Sequence, residues 1–227
     1  MASVYFLSLG PGGVDNVTWG TIRTLQNCDR IYCFGTNSQS FAAETLSLLP
    51  VKSPVHVVVV PMQKDREATW KVYQDLATEI RERLTMGERI AVATEGDSGI
   101  YATTHYVKDI LDNSGVKTEQ FGGVPSFIAA SARAGLHLVS QKERLLVVPG
   151  MISLQEIVDM VENGTTVVIM KLSMAVDVIH ECMKIYPAYQ YHYFSHIGRP
   201  EEFYSHDREA LLQQDFPYFS LMIIKQA

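Results

Sequence analysis

The 227-residue chain has few cysteines: Cys28, Cys33 and Cys182 make an odd number with no C-x-x-C pair. This argues against a disulfide framework and equally against a zinc site. Buried, reduced thiols in a cytoplasmic protein are the expectation. Positive charge is also short. The 19 Lys and Arg face 25 Asp and Glu, a net charge of −6, whereas a general nucleic-acid binder is basic; a local basic pocket for a small anion stays open. Nor is there a long apolar run. VHVVVV (55–60) and TTVVIM (165–170) have strand length, well short of the ~20 residues that span a bilayer as a helix. The opening MASVYFLSLGPGG has no charged segment ahead of its apolar residues and so does not read as a signal peptide. No repeat period, low-complexity linker or long charge run is visible. Neither nucleic acid nor membrane is an expected partner.

What the chain does have is alternation. VYFLSLG (4–10), RIYCF (30–34), VHVVVV (55–60) and RIAVAT (89–94) are rich in β-branched and aromatic residues and read as strands. From Arg66 to Leu84, apolar residues recur at Trp70, Tyr73, Ala77, Ile80 and Leu84, with Glu and Arg on the opposite face and Gly87 as a stop. A second strand series follows: KTEQF (117–121), RLLVVP (144–149), TTVVIM (165–170), YQYHYFS (189–195) and PYFSLMIIK (217–225). SFIAASARAG, SLQEIVDMVENG and SMAVDVIHECMKIY lie between them as helices. This pattern predicts an α/β protein of two domains with mixed or largely parallel sheets and a cleft between them. The expected domains are residues 1–114 and 115–227, divided at the turn-forming cluster Asn113-Ser114-Gly115.

Three glycine-bearing turns follow strands: SLGPGGVDNVT (8–18), TEGDSGIYAT (94–103) and FGGVPSFIAASA (121–132). Ligands of open α/β sheets bind beyond the carboxyl ends of the strands. Three turns that can bring bare backbone against a ligand therefore point to a small-molecule site. Gly10, Gly12 and Gly13 lack the G-x-G-x-x-G spacing and are interrupted by Pro11, which argues against a nicotinamide oxidoreductase. A plain tight turn is the alternative for that segment.

FLSLGPGGVDNVTWGTIRTLQNCDRIY, ATEGDSGIYAT and FGGVPSFIAASARAGLHL, in this order and at these distances, resemble the three N-terminal motifs of the tetrapyrrole methylases. The resemblance covers essentially the whole chain. VPMQKDREATW (60–70), ERLLVVPG (143–150), VVIMKLS (167–173), GRPEE (198–202) and PYFSLMIIK (217–225) are similar to the branch that methylates C20 of precorrin-2 in cobalamin synthesis. GDSGIYAT alone is nearer the C17-methylating branch. The resemblance implies the class III methyltransferase fold, S-adenosyl-L-methionine bound between two α/β domains, S-adenosyl-L-homocysteine as product, a tetrapyrrole substrate and a homodimer.

Matching motif by motif, the resemblance implies cofactor contacts at Pro11, Glu95, Gly96, Asp97, Ile100, Tyr101, Pro125, Ser126 and Phe127. From the second domain it implies Met170, Lys171 and Gly198. No catalytic residue is assigned; Asp15, Asp97 and Lys171 are weak candidates, and no metal ligand is expected. Asp97 is alternatively a turn-stabilising Asx residue. The chain departs from the family pattern at Gly13-Val14, at Ser98 and at Pro125, which leaves three alternatives open: another corrinoid ring carbon, a protein or ribosomal RNA acceptor, or a weakened adenosylmethionine-binding relative. Arg66, Arg133, Lys142, Arg144, Lys171 and Arg199 are candidate partners for substrate carboxylates, each with a surface charge or structural ion pair as the plainer alternative. His192 and His196 share a face if extended, either as a cobalt contact or proton acceptor or as satisfied strand-edge histidines. Tyr101, Tyr106, Tyr191 and Tyr193 either line a macrocycle pocket or belong to the core.

Overall fold

The computed structural model describes residues 4–36, 40–61 and 66–227. Met62 to Asp65, within the segment that points to the C20 branch, and the side chain of candidate Arg66 lie outside that description. The chain forms two compact units, Met1–Ser126 and Phe127–Ala227.

In the first unit, β1 (Val4–Ser8), β2 (Arg30–Gly35), β3 (Val55–Val59), β4 (Ile90–Thr94) and β5 (Thr118–Phe121) form one sheet in the order β3-β2-β4-β1-β5. Every pairing is parallel. Parallel strands need crossovers, supplied by α1 (Trp19–Leu25), α2 (Phe41–Ser47), α3 (Arg66–Thr85) and α4 (Thr104–Asn113). Leu25 of α1 and Ala42 and Leu46 of α2 pack with Leu7, Ile31, Cys33, Ala91 and Ala93. Tyr73, Leu76, Ala77 and Ile80 of α3 and Val107 and Leu111 of α4 pack with Phe6, Tyr32, Ile90 and Val92. Both faces of the sheet are thus covered, which explains why Ile90–Ala93 is an unbroken buried apolar run. Thr18 and Ser40 cap α1 and α2 by accepting the Thr21 and Ala43 N–H groups. The helix signal at 66–84 is α3, and Gly87 ends it in the left-handed region.

The second unit begins with α5 (Ser126–Arg133 spans the seam) and holds β6 (Arg144–Val148), α6 (Leu154–Glu162), β7 (Thr165–Met170), α7 (Val176–Ile185), β8 (Gln190–Ser195), β9 (Phe203–Ser205), α8 (Arg208–Leu211) and β10 (Ser220–Lys225). Its order is β6-β7-β10-β8-β9. Only β6 and β7, joined through α6, run parallel; the other pairs are antiparallel. Ile157 and Val161 of α6 and Ile179, Cys182 and Met183 of α7 cover one sheet face, against Val167, Ile169, Tyr191, Tyr193, Met222 and Ile224.

The expected boundary at 114/115 is corrected. KTEQF is not the start of a second sheet: β5 pairs with β1 from Val4↔Thr118 to Leu7↔Phe121. The Asn113-Ser114-Gly115 cluster is the reversal between α4 and β5, with Gly115 at φ +80°. All three cysteines are free and buried, and burial pushes the Cys28 thiol up to about 12.

Candidate functional site

After β1 the chain turns away toward β2, and after β4 it turns away toward β5, on the other side of β1. The carboxyl ends of the neighbouring strands β1 and β4 are therefore the topological switch point of this sheet. Two glycine turns meet there. The Leu9 N–H donates to the Thr94 carbonyl at 2.9 Å; then the Gly10 N–H donates to the Gly96 carbonyl at 3.1 Å and the Gly96 N–H to the Gly10 carbonyl at 2.7 Å. Both glycines lie in the left-handed region, at φ +74° and +65°. At Gly10 a side chain would also strike Asn16, 2.6 Å from the ideal Cβ position, whereas over Gly96 nothing lies within 4 Å. The face of Gly96 where a side chain would stand is open, while its N–H and carbonyl are paired with Gly10.

The third turn, after β5, is fastened to the other two by side chains. The Ser8 hydroxyl accepts the Ser98 N–H at 2.8 Å and donates to the Phe121 carbonyl at 2.7 Å. The Ser98 hydroxyl lies 3.0 Å from that of Ser8 and 3.2 Å from the same carbonyl. Asp97 accepts the Gly99 N–H on Oδ1 at 2.8 Å and the Gly123 N–H on Oδ2 at 2.5 Å. Gly123 allows this closeness: a Cβ there would sit 2.3 Å from the Ser8 Cβ. The ends of β1, β4 and β5 are one hydrogen-bonded unit presenting open backbone at its centre.

The family model of the Tetrapyrrole (Corrin/Porphyrin) Methylases matches residues 3–211. The chain belongs to this family. Among curated relatives, it is 26% identical over 170 residues to the "Probable cobalt-precorrin-2 C(20)-methyltransferase" of Methanocaldococcus jannaschii, covering 74% of this chain and 71% of that one. It is also 26% identical over 174 residues to the cobalt-precorrin-2 C(20)-methyltransferase of Salmonella typhimurium, covering 74% and 72%. Among solved structures, a cobalt-precorrin-4 methyltransferase superposes with a TM-score of 0.77 at 15% identity, over 98% of this chain and 94% of that one. A uroporphyrin-III C-methyltransferase from Thermus thermophilus superposes with a TM-score of 0.71 at 18% identity, over 98% and 91%. The fold is that of the tetrapyrrole methylases.

Within this methylase fold, Pro11, Glu95, Gly96, Asp97, Ile100, Tyr101 and Pro125 all lie on the three turns of the first unit. Pro11 is buried, and Tyr101 is exposed on a left-handed backbone at φ +51°. Asp97 holds the two turns together, the Asx alternative. Asp15 lies exposed on the loop between β1 and α1. Ser126 opens α5, and Phe127 behind it is buried, its ring in the interior. In the second unit, Met170 ends β7 and Lys171 follows at φ +58°, its ammonium 5.7 Å from the centre of the Tyr218 ring. Gly198, at φ +77°, donates its N–H to Glu202 at 2.7 Å. Glu202 is also 3.4 Å from the Arg133 guanidinium, so Arg133 has a structural ion pair. Arg199 lies over the Phe219 ring at 5.2 Å. Lys142 and Arg144 are exposed.

The two histidines do not form a pair. His196 lies past the end of β8 at φ +51°, where strand alternation no longer applies. His192 is buried, with Nδ1 3.0 Å from the Tyr204 hydroxyl. Burial, followed by His206 and Lys225, holds its imidazole below the ordinary value. Among the described residues, no group of three or more His, Cys, Asp or Glu is placed to hold a metal ion, and no helix is long and apolar enough to cross a membrane. Sequence reasoning missed Ser8, Phe121 and Gly123 as site-building residues. The Gly122-Gly123 pair directly after a strand was the available signal for the last.

Proposed function

We propose that this tetrapyrrole methylase transfers a methyl group from S-adenosyl-L-methionine to C20 of precorrin-2 or cobalt-factor II in cobalamin biosynthesis, as a cytoplasmic homodimer. The observation that carries the cofactor assignment is the open, side-chain-free backbone at Gly96 at the switch point of the first sheet. The C20 position draws its support from the two curated relatives that carry that activity in their names.

The residues fit such a cofactor. Adenosylmethionine is compact and carries no phosphate, so it needs backbone donors and acceptors and a carboxylate at hand in place of an anion cradle. The turns at Gly10–Gly13, Glu95–Asp97 and Gly122–Ser126 supply both. Pro11, Glu95, Gly96, Ile100, Tyr101, Pro125 and Ser126 would hold it in the first unit, and Met170, Lys171 and Gly198 in the second. When bound, the cofactor supplies an electrophilic methyl on a sulfonium, which leaves as a neutral thioether.

The meso carbon of the reduced ring is itself the nucleophile. A C–C bond forms as the C–S bond breaks, and the meso proton is then lost. Attack needs no general base, so the chain's task is alignment and exclusion of water. The rigid Ser8–Ser98–Asp97–Gly123 fastening suits that task, because it fixes three turns by donors and acceptors that are already paired. Lys171, held left-handed at a strand end, offers a cation to a substrate carboxylate.

The test is anaerobic incubation with adenosylmethionine and precorrin-2, metal-free and cobalt-loaded in parallel, read by tetrapyrrole mass. A gain of one methyl in either tube is the expected result. An unchanged mass in both, beside an active control enzyme, removes the C20 reading.

A further inference from the structure

We propose that Trp70, Tyr101 and Tyr106 form an aromatic shelf on which the tetrapyrrole ring of the substrate lies. The inference rests on the methyltransferase reading and names the side chains that would recognise the acceptor. The tyrosines considered from sequence divide cleanly. Tyr191 and Tyr193 are core, 3% and 0% exposed, whereas Tyr101 and Tyr106 are 44% and 40% exposed. Trp70, on α3, is 43% exposed. A large aromatic left half open costs apolar burial, and three such rings at one end of one sheet are unlike scattered surface residues.

Their placement and geometry identify the occupant. Trp70 lies in the first turns of α3 and Tyr106 in the first turn of α4, and both helices begin at the carboxyl end of the sheet. Tyr101 lies on the segment that links the Gly96–Asp97 turn to α4. The Tyr106 ring is stacked on that of buried Tyr73, with centroids 5.2 Å apart and planes 10° apart. Trp70 stands nearly perpendicular to both rings, at 5.9 Å from Tyr106 and 6.3 Å from Tyr73. The exposed rings are therefore fixed by a buried support, forming a corner of defined orientation. Tyr101 is held in the left-handed region, where a bulky side chain is uncommon; that conformation persists although a glycine would adopt it without strain. The Tyr106 ring also has His105 against it at 3.9 Å, so the half-open rings of Trp70 and Tyr101 give most of the contact; preset aromatic rings at the same sheet end as the Gly96 turn suit a broad conjugated ring, whose faces offer stacking area and few polar atoms. The macrocycle's carboxylates lie at its rim and leave its faces free for this contact.

The test is steady-state methyl transfer with cobalt-precorrin-2 and adenosylmethionine varied in turn, on Trp70→Ala, Trp70→Phe and Tyr101→Ala. The shelf predicts that either alanine variant raises KM for the tetrapyrrole about tenfold, a loss of ~1.4 kcal/mol, with kcat held within about twofold. In the Trp70 variants KM for adenosylmethionine stays unchanged, and Trp70→Phe regains most of the tetrapyrrole affinity. Because the chain has two tryptophans, Trp19 and Trp70, a Trp19→Phe background leaves Trp70 as sole reporter. Quenching of its fluorescence by cobalt-precorrin-2 then reads binding without turnover. An unchanged tetrapyrrole KM in both alanine variants, with full activity, overturns the shelf and leaves the methyltransferase reading standing. A changed sedimentation coefficient with unchanged KM overturns it in favour of a subunit interface. Wild-type protein that neither binds nor methylates precorrin-2, metal-free or cobalt-loaded, removes the functional reading and the shelf with it.

Discussion

At Gly123 the absence of one carbon decides whether three turns close. Gly123→Ala places a Cβ 2.3 Å from that of Ser8 and 3.1 Å from the Gly96 carbonyl oxygen, and backbone on one side cannot yield as a flexible side chain would. The expected outcome is a loss of about 2–3 kcal/mol in urea unfolding, typical of overpacking, together with weaker adenosylhomocysteine binding by calorimetry. Asp97 and Ser98 are neighbours with different burdens. Asp97→Asn keeps the shape but sets an amide NH2 against one of two backbone N–H donors, so it leaves a donor facing a donor. Ser98→Ala keeps the Ser98 N–H bond to Ser8 and the Ser8 bond to Phe121. Asn at 97 should cost about 1–3 kcal/mol and Ala at 98 about 0.5–1.5 kcal/mol. Chemical denaturation of the two variants side by side checks that order. The sequence marked Asp97 with two possible roles, and the turn-stabilising one is seen in full only with its partner 26 residues away. The partner glycine belongs to a different turn, and nothing local to 94–103 announces it.

At the scale of elements, the strands that carry strong β-branched runs were legible at once: β1, β2, β3, β4, β7 and β10 fall where alternation and composition put them. So was α3, because its apolar stripe repeats through five turns before a left-handed glycine. KTEQF was legible as a strand but not as a member of the first sheet. Only one of its residues is strongly apolar, and it is the register with β1, not its own sequence, that assigns it. The short β9 went unread because three residues give no periodicity; it is held by pairing with β8 and by aromatic rings across the pair, Phe194 with Tyr204 at 4.7 Å among them. His192 sits at the same junction, beside Tyr204 and His206. Its proton affinity is lowered on folding, chiefly by burial, so as pH falls through the ordinary histidine range the unfolded chain takes up more protons than the folded one. Stability therefore drops as pH falls from about 7.5 to about 5.5. His192→Gln removes that contribution, and its unfolding free energy should decline less over the same interval than that of the wild type. Equal declines would show that His192 is not the group responsible.

Over the whole molecule, the net charge of −6 and a substrate rich in carboxylates stand in apparent conflict. Arg133 is engaged with Glu202, so on the proposed reading the local cation is Lys171, in a left-handed corner at the end of β7 over an aromatic ring. Family membership was readable from motifs spread along the chain. The ring position methylated was not readable in the same way, because it depends on which face of a large substrate meets the methyl group. The deciding measurement is methyl transfer from adenosylmethionine labelled with carbon-13 in its methyl group, under anaerobic conditions, with the product's new carbon–carbon connectivity read by NMR. The account predicts a single labelled methyl attached to the C20 meso carbon. A labelled methyl on any other ring carbon, or none at all from protein that binds adenosylhomocysteine, would contradict it.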